Sequence, residues 1–175
     1  MNVLDAIKNR REITNFKDEP IQSDLLEAIV DAAYLAPSGN NLPSKDIIVV
    51  TEKEKLQVLA KTTPFMKWLE QAPAAIVITG RPDVSKYWLQ DASIAAAFAW
   101  LETVEADIGA AFGAVYHAQD QQESEKRESH VKQNLDIPND RKVVAVLGLG
   151  YPDQEPKPKK YLPKDELVHY NQFQS

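Results

Sequence analysis

The sequence contains no cysteine, and this absence alone removes several kinds of chemistry. Disulfides, thiolate nucleophiles and cysteine-ligated metals or iron–sulfur clusters are excluded. The three histidines, His117, His130 and His169, are far apart and show none of the short spacings that are typical of a metal site. We therefore expect no bound metal and no metal-ligating residues.

Basic residues are also in the minority: 20 lysines and arginines face 26 acidic residues, for a net charge of −6. A general nucleic-acid binder needs a basic surface to neutralise phosphates. No stretch approaches the roughly 18 unbroken apolar residues that a membrane span needs, and the first residues do not resemble a signal peptide. We expect a soluble, cytoplasmic protein that binds neither nucleic acid nor membranes.

The 175 residues, 43 % of them hydrophobic, are enough for one compact domain. Apolar residues recur with helical spacing in several segments, which are residues 3–8, 24–35, 53–61 and 88–106. Runs rich in β-branched residues predict buried strands at 47–51, 74–79 and 142–152. The small-residue stretch 108–115 is a further candidate strand, and the polar stretch 119–133 is a candidate solvated helix.

The predicted helix at 88–106 is apolar on every face in its middle part. Such a helix must be covered on all sides, and a chain of this size has little material to do so. This pattern predicts a homodimer in which the helix contributes to the interface. Phe98 and Trp100 are interpreted as core residues rather than ligand contacts, whereas Gln90 and Asp91 are polar residues at the helix start.

Residues 36–44, Ala-Pro-Ser-Gly-Asn-Asn-Leu-Pro-Ser, form a polar loop between a predicted helix and a predicted strand. Their hydroxyl and amide groups could offer donors and acceptors to the edge of a flat heteroaromatic ligand. The loop could equally be an ordinary connection, because Pro, Ser, Gly and Asn are the usual residues of turns.

Arg10 and Arg11 are adjacent cations in a stretch without periodicity. A guanidinium suits phosphate oxygens, but either arginine could instead be solvated or pair with Glu12 or Asp18. The tail from residue 153 carries Pro-Lys-Pro-Lys-Lys and then an apolar end. It could dock on another subunit or remain a solvated terminus.

Four segments, in this order, resemble the flavin-dependent nitroreductase family: residues 10–16, residues 36–41, Gln90-Asp91 and residues 148–152. The resemblance implies an α+β fold, with a mixed, mostly antiparallel central sheet flanked by helices. It also implies a single domain over residues 1–175, a homodimer that binds FMN at the subunit interface, and a C-terminal arm, residues 153–175, that is exchanged between subunits.

By this resemblance, Arg10 and Arg11 contact the FMN phosphate and the ribityl or pyrimidine side, and backbone near Phe112 faces the flavin. Lys159, or Lys160 by a shift of one residue, grips the phosphate. The full set of implied cofactor-binding residues is Arg10, Arg11, Glu12, Pro37, Ser38, Gly39, Asn41, Gln90, Phe112, Gly113, Lys159 and Lys160. The cofactor carries the redox chemistry, so no catalytic acid or base is expected from the chain.

The chain departs from the usual family pattern at three places. Glu12 stands where a serine is common, Pro43-Ser44-Lys45 replaces Gln-Pro-Trp, and Tyr161 stands where an arginine is usual. Phosphate binding would therefore depend more heavily on the remaining cations.

The activity implied by the resemblance is an NAD(P)H oxidoreductase. NADH or NADPH reduces FMN and leaves, and a nitroaromatic, quinone or related acceptor then takes its place in a ping-pong mechanism. The departures motivate an alternative, a non-catalytic flavin-binding protein of the same fold.

Overall fold

A four-stranded antiparallel sheet lies at the centre of the protein in the computed structural model, which describes residues 1–173. Its strands are β1 (Lys45–Val50), β2 (Ala74–Gly80), β3 (Gly109–Ala114) and β4 (Lys142–Gly150). The strand order is β1-β2-β4-β3, so β2 and β4 are central and β1 and β3 form the edges. A parallel bridge between Glu12 and Ala110 adds a short contact outside β3.

Helices cover both faces of this sheet. They are α1 (Val3–Asn9), α2 (Ser23–Tyr34), α3 (Lys53–Leu59), α4 (Trp88–Glu105) and α5 (Gln121–Leu135). One apolar core joins the sheet to α2 and α4, and a second joins it to α3 and α5. Alternating residues of β2, such as Ile76 and Val77, point into opposite cores, as the two-residue repeat of a strand requires. The predicted α+β fold is confirmed.

β1 is less buried than its β-branched sequence suggests. The prediction of a buried strand is wrong here, because β1 is an edge strand, and Val49 is 42 % exposed. A run of Ile and Val fits the pleated surface of an edge strand as well as that of a central one, so composition does not separate the two cases.

α4 is the longest helix, with 18 residues, and it crosses one face of the sheet. Ala92, Ala95 and Ala99 are fully buried, and α2 packs closely on this helix. Ile94 and Phe98 are 37 % and 43 % exposed, so one chain covers Phe98, which was expected to be a core residue, only in part. Across residues 1–173, no helix combines the length and apolar character needed to cross a membrane.

Past β4, the chain follows the surface. Phe16 and Pro152 form an antiparallel bridge, and the side-chain carbonyl of Gln154 accepts hydrogen bonds from the backbone N–H of Thr14 at 3.0 Å and of Asn15 at 2.9 Å. Beyond these contacts, large apolar side chains of the tail are exposed, among them Tyr161, Leu162, Leu167, Tyr170 and Phe173.

Candidate functional site

Arg10, Arg11 and Lys159 meet at one corner of the molecule, which we call the basic corner. The Arg10 guanidinium carbon lies 4.3 Å from the centre of the Trp100 ring, close enough for a cation–π interaction. Trp100 in turn stacks on Phe112 of β3, with ring centres 5.7 Å apart and an interplanar angle of 15°. Residues from the chain start, from α4 and from β3 are thus brought together.

Arg11 ties this corner to the backbone. Its Nη1 donates to the carbonyl oxygens of Lys8 at 2.8 Å, Asn9 at 3.1 Å and Arg10 at 3.0 Å, which satisfies unpaired carbonyls at the end of α1. Its Nε donates to the Lys157 carbonyl at 3.3 Å. Arg11 therefore positions the tail beside α1.

Lys159 reaches the same corner from the tail, where its Nζ donates to the Ile7 carbonyl at 2.9 Å. Burial lowers the pKa of Lys159, and the positive charges of Arg10 and Arg11 lower it further. Within residues 1–173, no carboxylate forms an ion pair with these three cations, so the expected alternative of pairing with Glu12 or Asp18 is not observed. Such a corner attracts an anion.

The outer edge of β3 offers backbone groups next to this corner. The carbonyls of Ala110 and Ala114 accept from Ile13 N at 2.9 Å and from Arg127 Nη1 at 3.2 Å, so both point away from β4. Alternate residues of an antiparallel strand direct their backbone groups to the same side. The N–H and C=O of Phe112 therefore also face the open edge.

Two further predicted residues lie beside the corner without joining its cations. Gly113 is buried, and a Cβ at this position would lie 2.6 Å from Met66 Cε, so a larger residue here would force the Met66 side chain to move. Lys160 is exposed and, among the described residues, makes no hydrogen bond or ion pair. The exposed Glu12 lies at a cleft of about 330 Å³, whose lining is Arg11, Glu12, Thr14, Gln154 and Lys157.

Residues 36–44, which we call the amide loop, lie beyond the other end of α4. Asn40 and Asn41 both have φ of 55°, in the left-handed region that asparagine tolerates better than most residues. Ser38 Oγ donates to the Leu42 carbonyl at 2.8 Å, and the Gly39 N–H donates to Asp91 Oδ1 at 2.9 Å. The loop borders a pocket of about 430 Å³, lined by Tyr34, Leu35, Ala36, Pro37, Ser38, Asn41, Leu42, Pro43, Lys45 and Ile47.

The start of α4 meets this loop through Asp91 rather than through Gln90. Gln90 is exposed, whereas Asp91 is 3 % exposed and is directed at Gly39 and Ser44. The two residues are adjacent in sequence, but only one can point at the loop, because successive helical residues are about 100° apart.

The basic corner and the amide loop do not meet within one chain. Lys45, on edge strand β1, is aligned across β2 with Lys142 at the start of β4. Ala110, on the other edge strand β3, is paired with Leu149 near the end of β4. The two residues therefore lie at opposite ends of the sheet and on opposite edges. Asp91 and Trp100 are nine positions apart on α4, or about 14 Å along the helix axis. The predicted site residues therefore form two groups at opposite ends of α4.

Several contributors to these groups are absent from the predicted set. Trp100 was interpreted as core, and it does pack against the core shared by the sheet, α2 and α4, but its ring also faces the Arg10 guanidinium. Ser44 and Gln154 hold the loop and the tail through side-chain hydrogen bonds to residues far away in sequence, which no spacing rule reveals. The position of Asp91 at the start of an apolar helix was the one available signal.

Comparison with known proteins identifies relatives for both the sequence and the fold. A profile described as "Nitroreductase family" matches residues 7–64. A protein of Archaeoglobus fulgidus named as an NADH dehydrogenase/NAD(P)H nitroreductase is 35 % identical over 156 residues, which are 87 % of this chain and 86 % of the relative.

Solved structures give the same result. A protein of Bacteroides thetaiotaomicron, also named as an NADH dehydrogenase/NAD(P)H nitroreductase, superposes with a TM-score of 0.89 and 28 % identity, over 98 % of each chain. An FMN-dependent nitroreductase of Clostridium difficile has a TM-score of 0.85 and 31 % identity, over 97 % of this chain and 99 % of that one.

Proposed function

Because the chain belongs to the nitroreductase family, we propose that it is an FMN-dependent NAD(P)H oxidoreductase. The observation that carries this proposal is the basic corner, in which three cations with no carboxylate partner in residues 1–173 adjoin a stacked pair of aromatic rings. An anionic phosphate attached to a flat ring system is the kind of ligand that such a surface suits.

The donor set of this corner fits FMN. Arg10 and Lys159 would hold the phosphate, since both carry charge there without a counter-ion among the described residues. Arg11 would act mainly by holding the tail and Lys159 in place, because its Nη1 and Nε already donate to four carbonyls. When bound, FMN would supply hydride acceptance and hydride donation.

The backbone of β3 would orient the flat part of the ligand. The N–H and C=O of Phe112 face the open edge of the strand, where they can pair with acceptor and donor atoms at the rim of a flavin ring. Positive charge nearby favours the more electron-rich state of a bound ligand. The chain thus binds, orients and stabilises charge without needing an acid or base of its own.

The amide loop would complete the site from a second copy of the chain. One chain holds this loop and the basic corner at opposite ends of α4, so a two-fold dimer that crosses its α4 helices could bring the loop of one subunit to the corner of the other. We propose that Pro37, Ser38, Gly39 and Asn41 contact the flavin in this way, with Gln90 beside them.

The surface of the chain supports such a homodimer. Ile94 and Phe98 of α4 are partly exposed, and apolar residues of α1 and of the end of α2 add to this surface, namely Val3, Leu4, Ile7, Tyr34 and Leu35. An exposed apolar area of this kind marks an interaction surface. We further propose that residues 153–175, of which 174 and 175 lie outside the described residues, are an arm that extends onto the partner subunit and belongs to the same single domain, because large apolar residues between 161 and 173 are exposed in one chain.

The reaction we propose has two half-reactions. NADH or NADPH would transfer a hydride to the bound FMN and leave as NAD⁺ or NADP⁺, and a nitroaromatic, quinone or related acceptor would then enter the same place and take up the two electrons. Such an exchange requires that one face of the bound ring stays accessible to both substrates in turn.

An absorbance spectrum tests the proposal most directly. The purified protein is mixed with FMN, freed of excess ligand, and titrated without oxygen with NADH and then NADPH, with Arg10→Ala treated in parallel. We expect flavin bands that remain with the wild-type protein and bleach on reduction. Bands that remain but do not bleach would indicate the alternative, a non-catalytic flavin-binding protein, and a colourless protein would contradict both.

A further inference from the structure

One buried carboxylate holds two points of the amide loop against α4, in addition to a backbone hydrogen bond of 2.7 Å from the Arg81 N–H to the Ser44 carbonyl. Asp91 is 3 % exposed; its Oδ1 accepts from the Gly39 N–H at 2.9 Å, and its Oδ2 accepts from Ser44 Oγ at 2.5 Å. Ser44 is fully buried. Both oxygens of one side chain therefore hold two points of the loop that are five residues apart.

The loop needs such fastening because its own backbone is unfavourable. Asn40 and Asn41 are consecutive residues with φ of 55°, a conformation that costs free energy even for asparagine. Gly39 is pressed against Tyr87, where a Cβ would lie 2.5 Å from Tyr87 Cδ2. A loop with this shape persists only when its surroundings hold it.

Lys45 closes the base of the same loop. Its Nζ donates to the Ala36 carbonyl at 2.7 Å, which joins the first residue after the loop to the first residue within it. Burial lowers the pKa of Lys45, and the nearby charge of Asp91 partly offsets this effect.

We propose that Asp91 is a positioning residue for the flavin site: through Gly39 and Ser44 it holds the amide loop in the shape that presents Ser38 and Asn41 to the ligand. The proposal rests on the proposed function, because its consequence is measured as FMN binding. Asp91 does not touch the ligand itself, since its two oxygens are buried and directed at the loop.

The test compares Asp91→Ala, Asp91→Asn and Ser44→Ala with two controls. Asp31→Asn neutralises an exposed acid on α2, and Ser93→Ala removes an exposed hydroxyl of α4 that bonds only to the Leu89 carbonyl. FMN affinity is measured by quenching of flavin fluorescence, and the thermal midpoint of each protein without FMN is recorded beside it.

We expect Asp91→Ala to weaken FMN binding by about tenfold to a hundredfold, the range for losing hydrogen bonds to a charged group. Ser44→Ala should weaken it less, because the Gly39 contact remains. Asp91→Asn should recover part of the affinity, since its amide can accept from Gly39 and donate to Ser44. Both controls should bind as the wild type does.

A second measurement separates positioning from general stability. Hydrogen exchange of the Gly39 amide should be slow in the wild type and fast in Asp91→Ala, while amides of β2 and β4 remain protected. If the Asp91→Ala protein has a lower thermal midpoint but binds FMN with normal affinity, the proposal is wrong. If Asp91→Ala does not fold, Ser44→Ala decides: normal FMN affinity in that variant would overturn the proposal. Wild-type protein without FMN affinity would instead refute the proposed function, and this inference with it.

Discussion

The basic corner and the amide loop lie at opposite ends of α4, and they differ in how their polar groups are satisfied. At the corner, Arg10 and Lys159 find carbonyl oxygens and an aromatic face but no carboxylate among the described residues. At the loop, Asp91 already satisfies the donors of Gly39 and Ser44. The corner therefore carries positive charge that an anionic ligand can neutralise. The loop instead offers a fixed backbone shape against which a ligand can pack.

This difference predicts two kinds of response to substitution. Changes in the corner should act on affinity through charge, and their effects should weaken with added salt. Changes in the loop should act through fit and be much less sensitive to salt. If both regions belong to one site, however, anything that separates two subunits should abolish binding through both at once.

The largest effect is expected from Phe98→Glu. Phe98 is 43 % exposed on α4, and a charge there would have to be desolvated in the proposed interface. We expect monomers and loss of detectable FMN binding, measured by light scattering and by flavin titration. Val84→Glu, which changes a similarly exposed residue in the loop before α4, is the control. Monomers that bind FMN as tightly as the wild type would show that one chain contains the whole site.

Arg10→Ala should have the next largest effect. Removing a charge-assisted contact to phosphate should weaken FMN binding by about tenfold to a hundredfold, and the loss should shrink in high salt. Arg10→Lys should recover only part, because an ammonium lacks the planar face that stacks on Trp100. Lys126→Ala, on the exposed side of α5, serves as the control for charge alone. An Arg10→Ala variant with unchanged affinity would remove the corner from the site.

Mixing variants tests whether the corner and the loop come from different subunits. A dimer formed from one Arg10→Ala chain and one Ser38→Ala chain has one doubly altered site and one intact site. After subunit exchange, roughly a quarter of the sites should regain wild-type affinity. Subunit exchange is verified separately. If it occurs and no affinity is recovered, both regions act within the same chain.

The sequence predicted the fold well because the deciding patterns are local. The apolar runs at 74–79 and 142–152 and the alanine-rich helix at 88–106 carry their own periodicity, and each appears close to its predicted bounds. Whether a strand lies at the edge or in the centre of the sheet depends on which strands pair with it, and the residues of the strand alone do not specify this. This is why β1 was expected to be buried and is not.

The site was predictable only in part, and for a related reason. Arg10 is noticeable as one of two adjacent cations in a stretch without periodicity, and the amide loop as a polar segment between a predicted helix and a predicted strand. Trp100 could not be separated from the core, because an aromatic residue at helical spacing looks the same whether it faces a sheet or a guanidinium. The role of Asp91 depends on the rotation of α4 against the loop, which no spacing in the sequence specifies.

Asn41→Gly should have a smaller effect. Asn40 and Asn41 share the same left-handed φ, so glycine relieves the backbone strain equally at both positions. Any difference in FMN affinity between Asn41→Gly and the matched control Asn40→Gly is therefore due to the lost side chain. We expect Asn41→Gly to weaken FMN binding about fivefold, as for one neutral hydrogen bond, with little dependence on salt. Asn40→Gly should bind as the wild type does. Equal losses in both variants would mean that only backbone stiffness matters.

The smallest effect concerns pH and Lys159. Burial, followed by the charges of Arg10 and Arg11, lowers the pKa of Lys159, so the folded protein without ligand binds fewer protons there than the unfolded chain does at alkaline pH. Without FMN, the free energy of unfolding should therefore rise slightly with pH between the lowered pKa and about 10.5, the ordinary value for lysine. A bound phosphate favours the protonated form of Lys159 and therefore raises the pKa of this lysine relative to the protein without FMN.

FMN affinity should consequently be highest at pH values below the lowered pKa of Lys159 and fall a few-fold as the pH rises through it, measured as dissociation constants from neutral to alkaline pH. The phosphate itself is already doubly charged over most of that range, since its second pKa is about 6, so its own titration does not cause the change. Lys159→Met should flatten the profile, whereas Lys160→Met should leave it intact. If the pH profile flattens only in Lys160→Met, the phosphate contact belongs to Lys160 rather than Lys159. If the profile is unchanged in both variants, the pH dependence arises outside the tail.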